Sequence, residues 1–362
     1  MNAAYALIRL ATAPWIATRR HRRADYSPER VHKIWVHKPD HLGDAILARP
    51  ALAALRAAFP NAALTIGCHP EAAALFEGDP LDIATYGFDS PFLGGQGRLR
   101  AYRRQVRAFG PDLVVNLRHD VRDILLCGWL GARWLVSYDH RDAARFASHP
   151  GSPPLENRSE AENHVTLLRE TLHIDAADPP PPVFAAASPP AWDELPGDGP
   201  RIVLHAVART AAKMWPVASW RELITMLGDK RPTRLALIGS ASDREPNAAI
   251  AAGLPVADWA GRFSLRETAE LIAAADALVG IDSGPGHLAA AVGTPVISLM
   301  SGTNRAARWA PATSTALSHA VDCAPCACER CPVVGHPCMR EIAPAKVLAA
   351  LEEVLVRHAD TL

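Results

Sequence analysis

The sequence predicts an α/β protein built from two Rossmann-like domains, and three observations lead to this fold class. Short apolar runs alternate with helical patterns in both halves of the chain, which indicates βαβ units and parallel sheets. A proline-rich stretch, residues 176–200, interrupts the alternation and is a natural domain boundary. The length of 362 residues exceeds one ordinary core and suits two domains of about 150 residues each.

The elements of the first half follow from their apolar patterns. Lys33–His37 is predicted as a strand, Ala45–Phe59 as a helix with an apolar face, and Ala62–Cys68 as a strand. Asp112–Leu117 is a continuous apolar run of the kind found in buried parallel strands. After the proline-rich stretch the alternation restarts, with predicted strands at Arg201–His205, Arg234–Gly239, Ala277–Ile281 and Pro295–Met300 and predicted helices at Val217–Gly228, Leu265–Ala275 and Gly286–Val292. Two such domains leave a cleft between them, where ligands bind beyond the carboxyl ends of the strands.

Composition excludes several classes of protein. Lys plus Arg equals Asp plus Glu at 38 each, so the chain lacks the basic excess typical of nucleic-acid binding. No apolar run reaches the roughly 18 residues that a membrane span needs. Residues 1–30 hold six arginines against Asp25 and Glu29, and their apolar part precedes the basic cluster, which is the reverse of a secretory signal. An amphipathic anchor on an anionic membrane surface and a solvated extension both remain open for this segment.

The first motif whose side chains could take part in catalysis is Lys38–Asp44, which lies between the first predicted strand and the first predicted helix. Gly43 permits a tight strand-to-helix turn, so Asp44 falls at the start of the helix. A carboxylate in this place is suited to cap the helix. The alternative is a general base that faces the cleft.

The second motif, His205–Trp215, follows the first strand of the second half. It is predicted to form a loop at the carboxyl end of that strand, and it carries Arg209 and Lys213. Cations in this position suit a diphosphate. A solvent-facing basic loop is the alternative.

The third motif, Gly280–Leu288, is the most specific of the three. It follows a buried strand and opens a helix of small residues, so backbone N–H groups and the helix dipole form an anion site there. Ser283 can donate a further hydrogen bond, whereas Asp282 either serves this site or caps the helix. His287 is either a core histidine or a ligand-binding residue.

Two sequence patterns bear on whether the chain is an oxidoreductase or a metal-dependent transferase. The residues from Gly284 to Ala289 match the dinucleotide fingerprint GxGxxA, which keeps an NAD-dependent oxidoreductase as an alternative, although the match lies late in the chain. No Asp-x-Asp pair occurs, and transferases that bind a nucleotide diphosphate through a divalent metal usually carry one. The charge of a leaving group would then be met by Lys213, Arg209 and helix N-termini.

In their order and separations the three motifs resemble glycosyltransferase family 9, the ADP-heptose:lipopolysaccharide heptosyltransferases. The matching stretches are HLGDAILARPALAALRAAFPNAALTIG, KMWPVASWRELI and GIDSGPGHLAAAVGTPVISLMSGTN, and the resemblance covers roughly residues 33–355. The cysteine-containing tail is similar to that of the heptosyltransferase II branch. The resemblance implies a GT-B fold, with two Rossmann-like domains that face each other across a cleft.

The resemblance also implies a domain organisation. Residues 1–30 are a basic extension, residues 31–185 form the acceptor-binding domain, and residues 186–343 form the domain that binds the nucleotide sugar. Residues 344–362 are expected to form a helix that packs back toward the first domain.

The activity implied by the resemblance is inverting sugar transfer without a catalytic metal, from ADP-heptose to a lipid-linked or lipopolysaccharide-core acceptor. Asp44 is implied as the general base and Phe263 as the residue against the adenine. Donor and phosphate binding is implied for Lys213, Arg209, Thr210, Asp282, Ser283, Gly284, Gly286 and His287. Many members place small hydroxyl residues directly after the strand, whereas here Thr210 lies one turn later.

Location and partners follow from the same resemblance. A cytoplasmic enzyme without nucleic-acid partners is expected, in peripheral contact with the inner membrane. Two alternatives stay open: a nucleotide-binding protein of the same fold without transferase activity, such as an NAD-dependent oxidoreductase, and a family 9 transferase that glycosylates a protein.

Five of the seven cysteines lie within residues 323–338. Such a local cluster fits a metal site or a local staple better than a secreted disulfide framework. We expect one structural site formed by Cys323, Cys326, Cys331 and Cys338. Bound zinc or iron, a local disulfide and free thiols are the alternatives.

Overall fold

The computed structural model describes residues 25–88, 95–140, 146–176 and 190–359. The chain divides into two compact units, Met1–Pro180 and Pro181–Leu362. The predictions for the basic extension concern residues that, up to position 24, lie outside the described part of the chain. Within the described part, no helix is long and apolar enough to cross a membrane.

The first unit contains a six-stranded parallel sheet in the order β3-β2-β1-β4-β5-β6. Its strands are β1 Lys33–Lys38, β2 Ala63–Cys68, β3 Ile83–Gly87, β4 Leu113–Asn116, β5 Trp134–Tyr138 and β6 His149–Gly151. Its helices are α1 Leu42–Leu47, α2 Arg49–Ala58, α3 Pro70–Ala73, α4 Gly95–Phe109, α5 Val121–Trp129 and α6 Glu160–Leu172. The chain winds one way from β1 to β3 and the other way from β1 to β6, so the topological switch point lies between β1 and β4.

The single helix predicted over Ala45–Phe59 is two helices in the structure. Helix α1 ends at Leu47 and α2 begins at Arg49, with Pro50 in the first turn of the second helix. Proline has no backbone N–H to continue the hydrogen-bond ladder, and its ring clashes with the preceding turn. The break therefore separates the short helix that carries Asp44 from the longer helix that packs on the core.

The second unit repeats the same topology, with a parallel sheet in the order β12-β11-β10-β7-β8-β9. Its strands are β7 Arg201–His205, β8 Arg234–Leu237, β9 Ala257–Asp258, β10 Ala277–Ile281, β11 Val296–Met300 and β12 Thr315–Ser318. Its helices are α7 Val217–Lys230, α8 Arg244–Ala251, α9 Leu265–Ala273, α10 Gly284–Ala291, α11 Ala306–Trp309, α12 Pro337–Arg340 and α13 Pro344–Ala359. The switch point of this sheet lies between β7 and β10.

Each unit has its own core. In the first unit Trp35 of β1 is buried against residues of α4 and α5. In the second unit β7, β10 and β11 are covered by α7 and by the last helix, α13, whose Val347 and Leu351 are fully buried. The contacts described for α13 are thus made within the second unit, and packing toward the first domain stays a prediction.

The end of the predicted linker belongs to the second unit. Pro190–Glu194 forms a 3₁₀ turn, and Trp192 within it is fully buried. The Trp192 indole donates a hydrogen bond of 3.1 Å to the carbonyl of Leu271, and its ring packs edge-on against Trp259 at 5.1 Å. This tryptophan therefore fixes the entry of the chain into the second unit.

Candidate functional site

The switch point of the second sheet is bridged by a charged pair. Lys213 lies in a 3₁₀ turn after β7, and Asp282 directly follows β10. The ammonium nitrogen of Lys213 is 2.6 Å from Oδ2 of Asp282, and it also lies 3.4 Å from the Asp282 carbonyl oxygen. The sequence places these two residues in separate motifs, and the structure brings them together at the edge where such sheets bind ligands.

Asp282 is a buried carboxylate with a second partner. The Asn304 side chain, on the loop after β11, donates a hydrogen bond of 2.9 Å to Asp282 Oδ2. A buried charge needs such partners because leaving it unpaired is costly. Asp282 therefore links the ends of three neighbouring strands, and it does not cap α10, since the N-cap residue is Ser283.

The N-terminus of α10 has no side-chain cap. The Ser283 hydroxyl donates to the Ile281 carbonyl at 3.0 Å, and it lies 2.9 Å from Nδ1 of His205. Within the described part of the chain, the side chain of the N-cap residue Ser283 does not accept a hydrogen bond from the first turn of this helix. An uncapped helix N-terminus at a switch point is suited to an anion such as a phosphate.

His287 lies in the same helix and is buried, with 5% of its surface exposed. Its Nδ1 has no hydrogen-bond partner among the described residues. Burial lowers the pKa of His287 to about 4, although Asp282 acts in the opposite direction, and burial likewise lowers the pKa of His205 to about 4. Both imidazoles are therefore neutral near pH 7, and the buried Nδ1 of His287 is a polar atom without a protein partner among the described residues.

The other predicted donor residues lie around this pair. Arg209 is exposed, and the structure gives its side chain no partner within the described residues. Thr210 precedes the 3₁₀ turn that contains Lys213, and its hydroxyl does not cap that turn. Gly284 and Gly286 open α10, and a Cβ on Gly286 would lie 3.2 Å from the Pro311 ring, so a larger residue there would fit only if that ring moved slightly.

Phe263, the predicted nucleobase contact, follows β9 at the side of the sheet beyond β7 and β8. Its ring meets Trp259 edge-on at 5.8 Å, and the Arg262 guanidinium lies 5.1 Å from its centroid. Arg262 in turn pairs with Glu194. The Phe263 ring is half-buried within an aromatic and cationic group, which is compatible with stacking on a planar base.

The cysteine-containing segment, residues 323–338, forms hydrogen bonds with the loop that carries Lys213. Ala212, beside Lys213, donates its N–H to the Glu329 carbonyl at 2.9 Å, and its own carbonyl lies 3.0 Å from Nε2 of His336. Cys326 donates its N–H to the Gly302 carbonyl at 2.9 Å. The segment therefore supports two of the loops that form the switch-point site.

The seven cysteines are free thiols. A hydrogen bond with Cys326, together with burial and the neighbouring thiols, raises the pKa of Cys328, which agrees with a local cluster. However, the described residues contain no group of three or more His, Cys, Asp or Glu side chains arranged to hold a metal ion. In this structure Cys323, Cys326, Cys331 and Cys338 are free thiols that lie close enough to influence one another's pKa, and their role as one structural site stays a prediction.

The switch point of the first sheet carries a second charged group. Asp44 lies in the first turn of α1, where His41 and not Asp44 is the N-cap residue. The buried ammonium of Lys38 lies 3.5 Å from Asp44 and 3.1 Å from Asp40. Asp40 also pairs with Arg118, which follows β4, so this ion pair spans the switch point.

Asp40 and Asp44 differ in their surroundings. Asp40 is held by two cations, Lys38 and Arg118, and 16% of its side chain is exposed. Asp44 has one ammonium neighbour at a longer distance, and 26% of its side chain is exposed. Of the two carboxylates, Asp44 therefore has fewer cation contacts and the larger exposed fraction.

A buried network anchors Arg118. Its Nε donates to Asp123 at 2.8 Å, and the other oxygen of Asp123 lies 2.8 Å from Nε2 of His37, whose Nδ1 lies 2.7 Å from the Tyr102 hydroxyl. Burial by itself raises the pKa of Asp123, but the hydrogen bond with His37 and the charge of Arg118 outweigh burial and lower it. Asp123 is therefore a buried carboxylate that fixes Arg118 in place.

Sequence reasoning did not single out Asn304, His205, Arg118 or Asp123. A signal exists for the first three, because Asn304 and Arg118 lie on the loops that follow parallel strands and His205 ends such a strand. Polar residues at these ends meet at one edge of the sheet. Asp123 lies in the first turn of α5, where carboxylates are common because they interact favourably with the helix dipole. Its position therefore gives no signal of a role at the site.

Two Rossmann-type units, each with a polar site at its switch point, define a class of two-domain enzymes that act on nucleotide-bound substrates. The sequence model of glycosyltransferase family 9 (heptosyltransferase) matches residues 99–335, and the chain belongs to this family. It is 28% identical to lipopolysaccharide heptosyltransferase 1 of Pseudomonas aeruginosa over 83% of this chain and 87% of that protein. It is also 28% identical to lipopolysaccharide heptosyltransferase 3 of Escherichia coli K12 over 75% and 83% of the two chains.

Solved structures agree with the fold. The E. coli ADP-heptose LPS heptosyltransferase II superposes with a TM-score of 0.70 at 20% identity, covering 90% of this chain and 99% of that one. A family 9 glycosyl transferase from Veillonella parvula superposes with a TM-score of 0.72 at 19% identity, covering 90% and 98%. The predicted GT-B fold class is confirmed, and the enzyme is a glycosyltransferase. The alternative of an NAD-dependent oxidoreductase is thereby set aside.

Proposed function

We propose that this enzyme transfers heptose from ADP-heptose to a lipopolysaccharide-core sugar, with inversion at the anomeric carbon and without a catalytic metal. The donor and acceptor are those named for the relatives: lipopolysaccharide heptosyltransferases and an ADP-heptose heptosyltransferase. The single observation that carries the proposal is the switch point of the second sheet. There Lys213 is held by a buried carboxylate beside an uncapped helix N-terminus and the unpartnered nitrogen of His287.

The chemistry proposed for this site is stabilisation of the departing diphosphate. When the bond between the anomeric carbon and the diphosphate breaks, negative charge develops on the phosphate oxygens. The Lys213 ammonium and the N–H groups of α10 are positioned at this edge of the sheet to meet such charge. Asp282 and Asn304 do not need to touch the donor, because their role is to hold Lys213 in position.

The proposed base is Asp44. In an inverting transfer the acceptor hydroxyl attacks from the face opposite the leaving group and must give up its proton. Asp44 lies at the switch point of the other unit, and among the described residues its carboxylate has one ammonium neighbour, Lys38, at 3.5 Å. The Lys38 ammonium keeps this carboxylate oriented, and Asp40 is committed to Arg118.

The location follows from the proposed acceptor, which is a membrane glycolipid. We propose that the enzyme works in the cytoplasm at the inner face of the inner membrane, with the basic residues 1–30 near the lipid surface. Fractionation of cells that express the full chain tests this location. Recovery of the enzyme only from the periplasm or the outer membrane would contradict it.

The activity is tested by incubating the enzyme with ADP-heptose, a heptose-free core acceptor and a chelator, and then identifying the product by mass spectrometry. Gain of one heptose by the glycolipid and release of ADP are expected. Thermal unfolding tests the donor separately, since a ligand at about 100 times its dissociation constant adds about 2.7 kcal/mol of stability. Stabilisation by ADP-heptose without transfer to the glycolipid, combined with transfer to a protein acceptor, would support the protein-glycosylating alternative instead.

A further inference from the structure

Helix α4 in the first unit carries an unusual concentration of positive charge. Its sequence, GQGRLRAYRRQVRAF, contains five arginines and no acidic residue, although the whole chain is balanced. Arg100, Arg103, Arg104 and Arg107 are spaced i, i+3, i+4 and i+7, so they form one stripe along the helix. Tyr102 and Val106, on the opposite side, are buried in the core. The helix therefore turns its apolar side inward and a basic stripe outward.

The stripe is concave and includes an aromatic residue. The four arginines and Trp129, the last residue of α5, line a depression of about 380 Å³. Trp129 is 43% exposed, which is large for a tryptophan. Arg103 lies over its ring at 4.1 Å and donates to its carbonyl at 2.9 Å, so the ring is held at the surface. Within the described residues no carboxylate pairs with Arg100, Arg104 or Arg107. We call this surface the arginine face.

The arginine face is continuous with the start of the described chain. Arg107 lies against the turn at Gly131, where a Cβ would be 3.8 Å from its Nε. Two residues later, Arg133 pairs with Asp25 at 3.1 Å. The sequence before Asp25 contains five more arginines and no acidic residue. The described chain therefore begins, at Asp25, on the same side of the first unit as the arginine face.

We propose that the arginine face is a docking surface for an anionic lipid bilayer. Unpaired guanidinium groups are attracted to anionic headgroups over a Debye length, and each basic residue near such a surface contributes roughly a factor of five in affinity. An exposed tryptophan among the basic residues suits the interface, where indole rings accumulate. This inference goes beyond sugar transfer, since it concerns a surface on α4 and α5, and neither helix carries Lys213 or Asp44.

The test is co-sedimentation of the full-length enzyme with vesicles of phosphatidylcholine, alone or mixed with anionic phosphatidylglycerol. The face variant is Arg100→Gln, Arg104→Gln and Arg107→Gln together. The matched control removes three exposed cations of the second unit, Arg231→Gln, Arg340→Gln and Lys346→Gln. A third protein carries Arg19→Gln, Arg20→Gln, Arg22→Gln and Arg23→Gln together. All substituted side chains of the face variant are exposed, and thermal unfolding of each protein verifies that the fold is intact.

Wild-type enzyme is expected to bind the anionic vesicles, to bind the neutral ones weakly, and to be released by salt. The face variant is expected to lose about 100-fold in affinity, while the control variant loses only a few-fold. Equal losses in these two variants would overturn the proposal, because binding would then depend only on net charge. Loss confined to the variant of residues 19–23 would overturn it as well.

A polyanion other than lipid is a further outcome of the same experiment. If the face variant keeps its vesicle affinity but loses binding to a single-stranded RNA, the arginine face serves nucleic acid and the lipid proposal is wrong. The vesicles contain no sugar acceptor, so the result does not depend on whether the enzyme transfers heptose.

Discussion

The ammonium group of Lys213 and the carboxylate of Asp282 lie 2.6 Å apart across the switch point of the second sheet. The carboxylate is buried and the ammonium is partly exposed, at 5% and 20% of their side chains. This arrangement directs a fixed positive charge toward the edge of the sheet where we propose that the nucleotide diphosphate binds. A lysine held in this way needs no reorganisation when charge develops on a leaving group.

Replacing Lys213 with alanine is expected to lower kcat by about 100-fold or more, the usual cost of removing one charge-stabilising donor. Initial rates of ADP release measure the effect. The control is Lys230→Ala, which removes an exposed lysine that pairs with Glu352 in the same unit and is expected to leave the rate unchanged. A rate for Lys213→Ala within a few-fold of wild type would remove Lys213 from the mechanism.

Asn304 is expected to act as a positioning residue through Asp282. Asn304→Ala removes one hydrogen bond from a buried carboxylate, a change worth roughly 1.5–3 kcal/mol. We therefore expect the dissociation constant for ADP, measured by calorimetry, to rise about tenfold or more as Lys213 loses its fixed position.

The matched control for Asn304 is Asn163→Ala in the first unit. Asn163 is buried and bonded to backbone groups around Leu155, so its loss lowers stability without reaching the donor site. Equal weakening of ADP binding in the two variants would mean that Asn304 has only a structural role.

The two buried histidines of the second unit make stability depend on pH. Burial lowers the pKa of both His205 and His287 to about 4, below the value of about 6.5 for an unfolded chain. Their contribution is therefore fully present above pH 6.5 and is lost as the pH falls toward 4. Each contributes on the order of 3 kcal/mol, because one pKa unit is worth about 1.4 kcal/mol.

Urea unfolding between pH 7 and pH 4 measures this dependence. His287→Asn is expected to flatten it, whereas His319→Asn, at an exposed position, is expected to leave it unchanged. If the imidazole of His287 titrates near pH 6.5 in an NMR titration, the lowered pKa assigned to this buried histidine is wrong.

Much of the fold was predictable because buried parallel strands consist of continuous apolar runs. Arg201–His205 and Ala277–Ile281 have the same bounds in the prediction and in the structure. The break at Ala48 was not predicted, since the apolar periodicity continues through it and only Pro50 marks it. Short strands such as Ala257–Asp258 carry too few residues for a pattern and depend on pairing with their neighbours.

The candidate site was predictable in its parts but not in its pairings. The spacing of the motifs indicated Lys213 and Asp282 separately, because each follows a strand of the same predicted sheet. Their contact depends on the strand order, which places β7 beside β10, and the sequence alone does not contain that order. The role of Asn304 depends on the same neighbour relation, one strand further along.

Asp44 and Asp40 offer a matched pair of variants for the proposed base. Asp44→Asn removes the carboxylate proposed as the base, and it is expected to lower the transfer rate by about 100-fold or more. Little loss of stability is expected, because this carboxylate has one described ion-pair contact, with Lys38 at 3.5 Å. Asp40→Asn breaks the pairs with Lys38 and Arg118. Its main effect is therefore expected on the free energy of unfolding. Donor affinity should be unchanged in Asp44→Asn, because the proposed donor site lies in the other unit.

The most direct measurement of the central claim is the single-turnover rate of heptose transfer from ADP-heptose to the core glycolipid, compared among wild type, Asp44→Asn and Asp40→Asn in the presence of a chelator. The account predicts a product of inverted anomeric configuration, full wild-type activity in the chelator, and a rate that collapses in Asp44→Asn. It is contradicted if wild type forms no heptosylated glycolipid, or if Asp44→Asn transfers heptose at the wild-type rate while Asp40→Asn does not.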